Sequence, residues 1–289
     1  MNRPAIRTFA AMIKMVVTDL DGTLLNGRQE VSESDFQSLL QFGTTGIVRV
    51  VATGRSPYSF NQVIPAAFPI DYLVFSSGAG VMDYKACEIL CSLNLPGDQV
   101  HDIALKLRDL GVSYKVLGPV PLNHHYVFYD NGDLHPDFIR RMEFYRGFEK
   151  PISFDPPNFG DSCQFLIILP PDPGRFEELK SHFPEAKVVR ATSPMDHQSI
   201  WMEIYHPDVS KANGVKFLCD QLGITPEEII GIGNDYNDID LLSFVGHPYV
   251  VENAPDELKA KYPVVSSNEN SGFTRATSAA LLQAFSQKH

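Results

Sequence analysis

The sequence predicts an α/β protein with a doubly wound parallel sheet and an inserted α+β domain. Apolar strand-like segments alternate with helical segments near the start of the chain, and the same alternation returns near its end. The middle of the chain differs, because it holds most of the prolines and mixes helical with extended segments. Alternating strands and helices form βαβ units, and a distinct segment between two such halves indicates an insertion.

The first half of the predicted core contains three strand-like segments, Ile13–Thr18, Ile47–Ala52 and Tyr72–Ser76. Two segments of helical character, about Ser32–Phe42 and Tyr58–Ala67, lie between them. Near-continuous runs of valine and isoleucine are typical of parallel strands that are buried on both faces. This part of the chain therefore predicts βαβ units and a sheet covered on both sides.

The end of the chain predicts the second half of the core. Ser210–Leu222 has apolar residues at helical spacing, and Thr225–Glu228 is a capping box with proline at the first helical position. The remaining predicted elements are the strands Ile229–Ile232, Tyr249–Val251 and Val264–Val265 and the helices Ile239–Phe244, Pro255–Lys261 and Thr274–Ala284.

The middle segment predicts a domain of its own. It combines helical pieces at Val100–Leu110 and Phe176–His182 with strands at His125–Tyr129 and Gln164–Leu169. The chain has 289 residues, which is enough for two domains of ordinary size. We therefore predict a discontinuous core of residues 13–84 and 201–289 and an inserted domain of residues 85–200.

Charge and hydropathy exclude some classes of partner. The formal net charge of −11 argues against a surface built to bind nucleic-acid phosphates. No segment approaches the ~18 apolar residues of a membrane span. We expect neither a nucleic-acid nor a membrane partner, and an anionic substrate would need local positive charge.

The cysteines and the first residues indicate a cytoplasmic protein. Cys87, Cys91, Cys163 and Cys219 form no C-x-x-C pair, so we expect free thiols in a reducing compartment. The first residues have only a short, broken apolar segment and make a poor secretory signal, with Met12 or Met15 as an alternative start.

Two acids follow the first predicted strand in the stretch VVTDLDGTLL, Val16–Leu25. Asp19 and Asp21 are two positions apart, so extended backbone would project both to one side. Ligands bind at the carboxyl edge of open parallel sheets, and close carboxylates repel unless a cation or proton relieves them. Mg²⁺ suits such a pair, whereas a polar exit from the strand is the structural alternative.

A second candidate motif, VVATGR, ends the next strand with Thr53, Gly54 and Arg55. A hydroxyl, a backbone N–H and a fork-shaped cation suit a phosphate oxygen or a substrate anion. A polar loop without a ligand would have the same composition.

A third motif, VSKANGV, places Lys211 directly after Ser210, a plausible N-cap. Positive charge on the positive end of a helix is unfavourable unless an anion lies opposite both. The alternative is a solvated surface lysine.

A fourth motif, GIGNDYNDIDLL, follows the strand Ile229–Ile232 and holds Asn234, Asp235, Asn237 and Asp238. Such a dense group of oxygen donors suits a hydrated Mg²⁺, with one or two groups on the ion and others on its waters. The alternative is an Asn/Asp-rich turn with helix caps.

These motifs, in this order, resemble those of the haloacid dehalogenase superfamily, in its Cof-like branch of sugar-phosphate phosphatases. DLDGT, ATGR, SKANGV and GNDYND match the four motifs of that family, and SSGAG and VENAPDELK match two further landmarks. The similarity covers residues 13–84 and 201–285. It implies a Rossmann-like core with a large α/β cap inserted after the third core strand.

The resemblance implies a role for each motif. Asp19 would attack phosphorus and become an aspartyl phosphate, and Asp21 would protonate the leaving oxygen and then activate water. Thr53, Gly54 and Lys211 would bind the phosphate. Asp19 and the backbone carbonyl of Asp21 would help to hold Mg²⁺.

The fourth motif departs from the family pattern, which has Gly-Asp where this chain has Gly233-Asn234. We favour Asn234 as a neutral metal ligand, with Asp238 behind it holding waters or Lys211. Asp235 or Asp238 supplying the carboxylate is the alternative, and Asn237 would support the shell.

The implied function is a Mg²⁺-dependent phosphatase for a small phosphorylated metabolite, acting as a monomer or homodimer. A hexose phosphomutase and a non-catalytic phospho-acceptor or regulatory module are the alternatives, but Asp21 favours fast turnover of an aspartyl phosphate. The candidate substrate contacts are Arg55 and Asn253 in the core and His124, His125, Tyr126, Asp130 and His197–Ile204 in the inserted segment.

Overall fold

The fold is described from a computed structural model that covers residues 13–286, with side chains through residue 282. The predicted alternative start at Met12 lies outside these residues. The first elements, in chain order, are β1 (Met15–Thr18), α1 (Glu33–Thr45), β2 (Val48–Ala52), α2 (Pro57–Phe60), β3 (Tyr72–Phe75), β4 (Gly80–Asp83) and β5 (Glu88–Ser92).

The middle elements are α3 (Gly97–Asp109), β6 (Tyr114–Leu117), β7 (Tyr126–Tyr129), α4 (Pro136–Phe144), β8 (Glu149–Pro151), β9 (Gln164–Leu169), α5 (Pro173–Ser181), β10 (Lys187–Thr192) and β11 (Ile200–Tyr205). The last are α6 (Lys211–Leu222), β12 (Ile229–Gly233), α7 (Ile239–Phe244), β13 (His247–Val251), α8 (Asp256–Lys259), β14 (Val264–Val265) and α9 (Gly272–Ser286).

The larger sheet confirms the predicted α/β core. Its strand order is β14-β13-β12-β1-β2-β3-β4-β5, parallel from β14 to β3 and antiparallel at β4 and β5. Successive residues of β1 enter different apolar clusters, Val16 with α1 and α9 and Val17 with α6 and α7. Both faces of the sheet are therefore covered, as its continuous apolar strands require.

The smaller sheet has the order β10-β11-β9-β6-β7-β8 and is antiparallel except between β7 and β8. Helices α3 and α5 pack on one face of this sheet, and α4 packs on the other. Neither α4 nor β10 is predicted from the sequence, and both contribute to the contacts described below.

Two strands belong to a different sheet from the one that the predicted domain boundaries imply. β5 falls within the segment predicted as inserted but pairs with β4 of the larger sheet, and β11 falls largely within the predicted core but pairs with β9 and β10. Backbone pairing determines the sheet to which a strand belongs. The hydrophobic pattern within one strand does not identify the strand with which it pairs.

The second helix is shorter than predicted. Tyr58–Ala67 is predicted to be helical, whereas α2 covers only Pro57–Phe60. Backbone bonds from Val63 and Ile64 to Phe60 continue as turns after α2. Pro65 explains why no helix continues to Ala67, because proline disfavours helical backbone at the residue before it and cannot donate an N–H. The predicted capping box at Thr225–Glu228 is present and begins a single turn of 3₁₀ helix.

Candidate active site

Asp19 and Lys211 are brought into direct contact at the carboxyl edge of the larger sheet. Asp19 follows β1, its backbone N–H donates to Ile232 at 2.8 Å, and its side chain is buried. Lys211 is the first residue of α6, where the side chain of Ser210 caps the helix. The Nζ atom of Lys211 lies 2.6 Å from Oδ1 of Asp19.

A second carboxylate holds the same ammonium. Oδ1 of Asp238 lies 2.6 Å from Nζ of Lys211, and Oδ2 of Asp238 accepts from the backbone N–H groups of Asn234 and Asp235. Lys211 and Asp238 are both essentially inaccessible to solvent. Lys211 is therefore fixed between the loop that follows β1 and the loop that follows β12.

Burial and the neighbouring charges shift the pKa values of Asp19 and Lys211. Burial raises the pKa of Asp19 to about 7, although the Lys211 ammonium acts in the opposite direction. Burial lowers the pKa of Lys211, but Asp19 and Asp238 raise it by more, so it lies above its ordinary value. The lysine therefore stays charged, and further positive charge near Asp19 would favour its carboxylate form.

Oxygen atoms cluster beside Asp19 in a way that fits Mg²⁺. One terminal atom of the Asn234 amide lies 3.0 Å from Oγ1 of Thr23, 3.1 Å from Oδ2 of Asp19 and 3.2 Å from the backbone oxygen of Asp21. With nitrogen at this point, the two amide hydrogens are shared among these three oxygens. With oxygen there, it joins Asp19 and the Asp21 carbonyl in a set of acceptors that needs a cation.

The spacing is also suitable for that ion. Octahedral Mg²⁺ binds oxygen at 2.0–2.1 Å, which puts neighbouring ligand atoms about 3 Å apart. Within residues 13–286 no cluster of three His, Cys, Asp or Glu side chains is arranged to hold a metal. The set here instead combines one carboxylate, one amide and one backbone carbonyl, so it is not a purely anionic site.

Glycine at position 22 makes this approach possible. Gly22 has a φ of +74°, and a Cβ atom there would lie 2.6 Å from Nδ2 of Asn234. Asn253 supports the same loop, because its Nδ2 donates to the backbone oxygen of Gly22 at 2.8 Å and its Oδ1 accepts from Asn268. The structure thus engages both ends of the Asn253 amide in holding the loop after Asp21, whereas we expected a substrate contact there.

Arg55 pairs with the second acid of the first motif. Its Nε and Nη2 atoms lie 2.8 Å and 2.7 Å from the two carboxylate oxygens of Asp21, and its Nη1 donates to the backbone oxygen of Ser59. Burial acts to lower the pKa of Arg55, but Asp21 outweighs it, so the pKa is raised. Arg55 was expected to face a substrate anion, and in this structure it orients the Asp21 carboxylate.

Thr53 and Gly54 line the same edge of the sheet after β2. Thr53 is buried and its Oγ1 accepts from the backbone N–H of Arg55 at 3.1 Å. Gly54 lies beside Oγ of Ser77 and Nδ2 of Asn237. Asn237 therefore belongs to the wall of the site near Gly54, and no described contact joins it to the oxygen cluster.

Asp235 points away from the oxygen cluster. Its two carboxylate oxygens accept from the backbone N–H and the hydroxyl of Thr192 at 2.6 Å and 2.9 Å. Thr192 ends β10, so Asp235 joins the fourth motif to the smaller sheet. Sequence reasoning missed Thr192, because no local pattern reports a contact between residues so far apart in the chain.

The seam between the two sheets carries further contacts and a cavity. Lys187 of β10 pairs with Asp240 at 2.6 Å, and the guanidinium of Arg190 lies 4.2 Å from the ring centre of Tyr236. A cavity of about 330 Å³ between β10 and the fourth motif reaches Lys211. The site is therefore bordered on one side by the smaller sheet.

The predicted contacts of the inserted segment have different environments. His124 stacks on Tyr58 of α2 with ring centres 4.8 Å apart, and His125 is exposed beside it. Tyr126 and Trp201 are buried, and Asp130 caps an exposed turn through the backbone N–H of Gly132. His124, Tyr126 and Trp201 are the best placed of these, since they lie on the side of the smaller sheet that packs against Tyr58 of α2 and against α4.

Sequence reasoning also missed Ser77 and did not single out Glu203. The Oγ of Ser77 donates to the buried carboxylate of Glu203 at 3.4 Å, which joins the loop after β3 to β11. Gly78, with a φ of +101°, allows that loop to approach α6, since a Cβ there would lie 2.0 Å from the backbone oxygen of Ser210. The quoted SSGAG motif is the only local signal of this arrangement. Within the described part of the chain, no helix is long and apolar enough to cross a membrane.

Comparisons with known proteins show the family of this chain. Residues 16–276 match a family described as haloacid dehalogenase-like hydrolase. A Streptococcus pyogenes protein provisionally named a phosphatase is 26% identical over 275 residues, covering 91% of this chain and 97% of that protein.

Two solved structures share the fold. A phosphatase of the haloalkanoate superfamily from Bacteroides thetaiotaomicron has a TM-score of 0.76 at 21% identity, covering 96% of this chain and 97% of that one. A sugar phosphatase of subclass IIB has a TM-score of 0.71 at 19% identity, covering 92% and 98%.

Proposed function

The chain belongs to the haloacid dehalogenase-like hydrolases and is a phosphatase, and we propose that it hydrolyses a small sugar phosphate with Mg²⁺ through an aspartyl phosphate on Asp19. The observation that carries this proposal is the position of Asp19. One of its carboxylate oxygens contacts Lys211, and the other lies in the oxygen cluster with Asn234.

In the first half of the proposed reaction, an oxygen of Asp19 forms a bond to phosphorus while the bond from phosphorus to the sugar oxygen breaks. Asp21 gives its proton to that departing oxygen. A protonated Asp21 is no longer an ion-pair partner for Arg55, so proton uptake by Asp21 would weaken the contact seen at 2.7 Å.

In the second half, Asp21 takes a proton from water, and the water oxygen forms a bond to phosphorus as the bond to Asp19 breaks. Arg55 then stabilises the carboxylate form of Asp21 that acts as the base. Inorganic phosphate leaves, and Asp19 returns to its carboxylate form beside Lys211.

Three groups of the chain would bind the phosphate oxygens. Thr53 offers a buried hydroxyl, Gly54 a backbone N–H without a side chain in the way, and Lys211 a buried ammonium. Fixed donors of this kind stabilise the negative charge that grows on the phosphoryl oxygens in the transition state. Asp238 keeps the ammonium in place.

Asp19, the backbone carbonyl of Asp21 and Asn234 would hold Mg²⁺. When bound, the ion would offset charge on Asp19 and on the phosphoryl group. With Lys211 it would give the acidic molecule a local positive centre, so the net charge of −11 does not prevent binding of an anion.

We further propose that the smaller sheet is the cap that covers the sugar, with boundaries between β5 and α3 and between β11 and α6. This division modifies the predicted one according to strand pairing. We also propose that the protein is cytoplasmic, that its sugar-phosphate substrate is soluble, and that it is a monomer or a homodimer.

The test is phosphate release from a panel of phosphorylated metabolites by purified protein with Mg²⁺. We expect release from at least one sugar phosphate, and none by the Asp19→Asn variant with its fold intact. Transfer of phosphate between hydroxyls of a primed sugar, without release, would favour the phosphomutase alternative. Stable phosphoprotein without turnover would favour the phospho-acceptor.

A further inference from the structure

Arg141, on α4, is held between two aromatic rings. The carbon at the centre of its guanidinium lies 4.8 Å from the ring centre of Trp201 and 5.0 Å from that of Tyr145. In the part of the chain whose side chains are described, it makes no side-chain hydrogen bond and no ion pair. The rings hold the cation while its N–H groups keep their capacity to donate.

The position of Arg141 relates it to the proposed catalytic residues. Tyr145 follows α4 directly, its ring centre is 6.0 Å from that of Tyr58, and it interacts electrostatically with Arg55. Arg55 binds Asp21, which would protonate the leaving group. Arg141 packs on Tyr145, which is close enough to Arg55 to interact with it. Arg141 therefore lies on the side of the smaller sheet where the sugar would lie.

The cluster around Arg141 has further donors without acceptors. Nε1 of Trp201 and the hydroxyl of Tyr126 are buried and have no hydrogen-bond partner among the described residues. Nζ of Lys115 lies 4.7 Å from the Tyr126 ring centre. Within residues 13–282 it forms no ion pair and donates only to the backbone oxygen of Phe138, at 3.4 Å. Buried donors are normally satisfied, so these unpaired donors show that the described part of the chain supplies no free acceptor here. Arg141 is only half-buried, so it can reach an acceptor from outside the chain.

The nearby carboxylates do not fill that role. Glu203 interacts electrostatically with Arg141, but its oxygens already accept from Ser77, Gln164 and Tyr205. Glu149 acts on Lys115 only at a distance that forms no ion pair.

We infer that Arg141 is a specificity-determining residue that binds a second anionic group, a carboxylate or a phosphate, on the leaving group of the substrate. A guanidinium suits such a group because its planar N–H pairs match two oxygens. The inference rests on the proposed function and narrows it, from sugar phosphates in general to phosphorylated metabolites with an anion at the far end.

The test uses two linear ligands that differ at that end, 6-phosphogluconate with a carboxylate and sorbitol 6-phosphate with a hydroxyl. Both are titrated with Mg²⁺ into the Asp19→Asn protein, so that binding is measured without turnover. Trp201 is the only tryptophan of the chain, and its fluorescence reports binding beside Arg141.

We expect 6-phosphogluconate to bind at least about tenfold more tightly than sorbitol 6-phosphate. Arg141→Met should remove this preference, and Arg141→Lys should retain part of it. Arg146→Met, which removes a nearby exposed positive charge, is the matched control and should keep it. Thermal unfolding of each variant checks the fold.

Equal affinity for the two ligands, a preference that survives Arg141→Met, or no saturable binding would overturn the inference. These outcomes differ from failure of the proposed function, in which wild-type protein releases no phosphate from any ester. Because binding is measured in the Asp19→Asn background, the Arg141-dependent preference is judged separately from phosphate release.

Discussion

Replacing Lys211 with methionine tests the electrostatic arrangement of the site. Lys211 lies 2.6 Å from both Asp19 and Asp238, and all three side chains are buried. Removing one partner of a buried ion pair typically costs 3–5 kcal/mol, because the remaining charge is left uncompensated. We therefore expect Lys211→Met to lower the free energy of unfolding by about 3–5 kcal/mol.

The same variant should lose phosphatase activity by a factor of at least ~10², the usual effect of removing one group that stabilises the transition state. Urea unfolding and phosphate release measure the two effects. Lys216→Met is the control on the same helix, since Lys216 forms an exposed pair with Asp220 and should cost less than about 1 kcal/mol.

A double variant distinguishes loss of charge balance from loss of packing. Lys211→Met combined with Asp238→Asn removes one of the two stranded carboxylates, so it should regain part of the stability lost in Lys211→Met. A stability loss below about 1 kcal/mol in the single variant, or a larger loss in the double variant, would show that charge compensation by Lys211 does not stabilise this site.

Three further predictions concern the metal, the acid and the inserted segment. Asn234→Asp should lower the Mg²⁺ concentration needed for half-maximal activity, whereas loss of activity would indicate another ligand, such as Asp238. Arg55→Lys should lower kcat by about 10–100-fold with a smaller effect on KM, because it loses the bidentate contact that orients Asp21; unchanged kinetics would exclude that role. Burial lowers the pKa of Lys115 from 10.5 to about 6, so between these values the unfolded chain binds one more proton and stability rises with pH. Lys115→Met should therefore stabilise the protein at pH 7, by up to about 5 kcal/mol, and the gain in urea unfolding should shrink towards pH 10; a gain independent of pH would contradict this.

The parallel core was predictable because its information is local. Val16 and Val17 are both apolar in a strand that ends just before Asp19. A strand buried on both faces needs such consecutive apolar residues. Every polar side chain that directly follows such a strand then lies at one edge of the sheet. The sequence therefore predicts that Asp19, Thr53 and Asn234 lie in the same region.

Contacts between distant segments could not be read in the same way. The hydrogen bonds between Asp235 and Thr192 depend on how β10 packs against the fourth motif. From the sequence, Asp235 was assigned to the metal site because it neighbours Asn234. The pairing of Arg55 with Asp21 likewise depends on the angle between two loops. A charged side chain in a site has several available partners, and tertiary geometry selects among them.

The most direct test of covalent catalysis by Asp19 is the detection of phosphate on this residue after acid quenching during turnover. We expect a hydroxylamine-sensitive phosphate on the peptide that contains Asp19, increased in Asp21→Asn if water attack is slowed more than transfer, and absent in Asp19→Asn. Rapid phosphate release by Asp19→Asn, or turnover with no covalent phosphate on that peptide in Asp21→Asn, would contradict it.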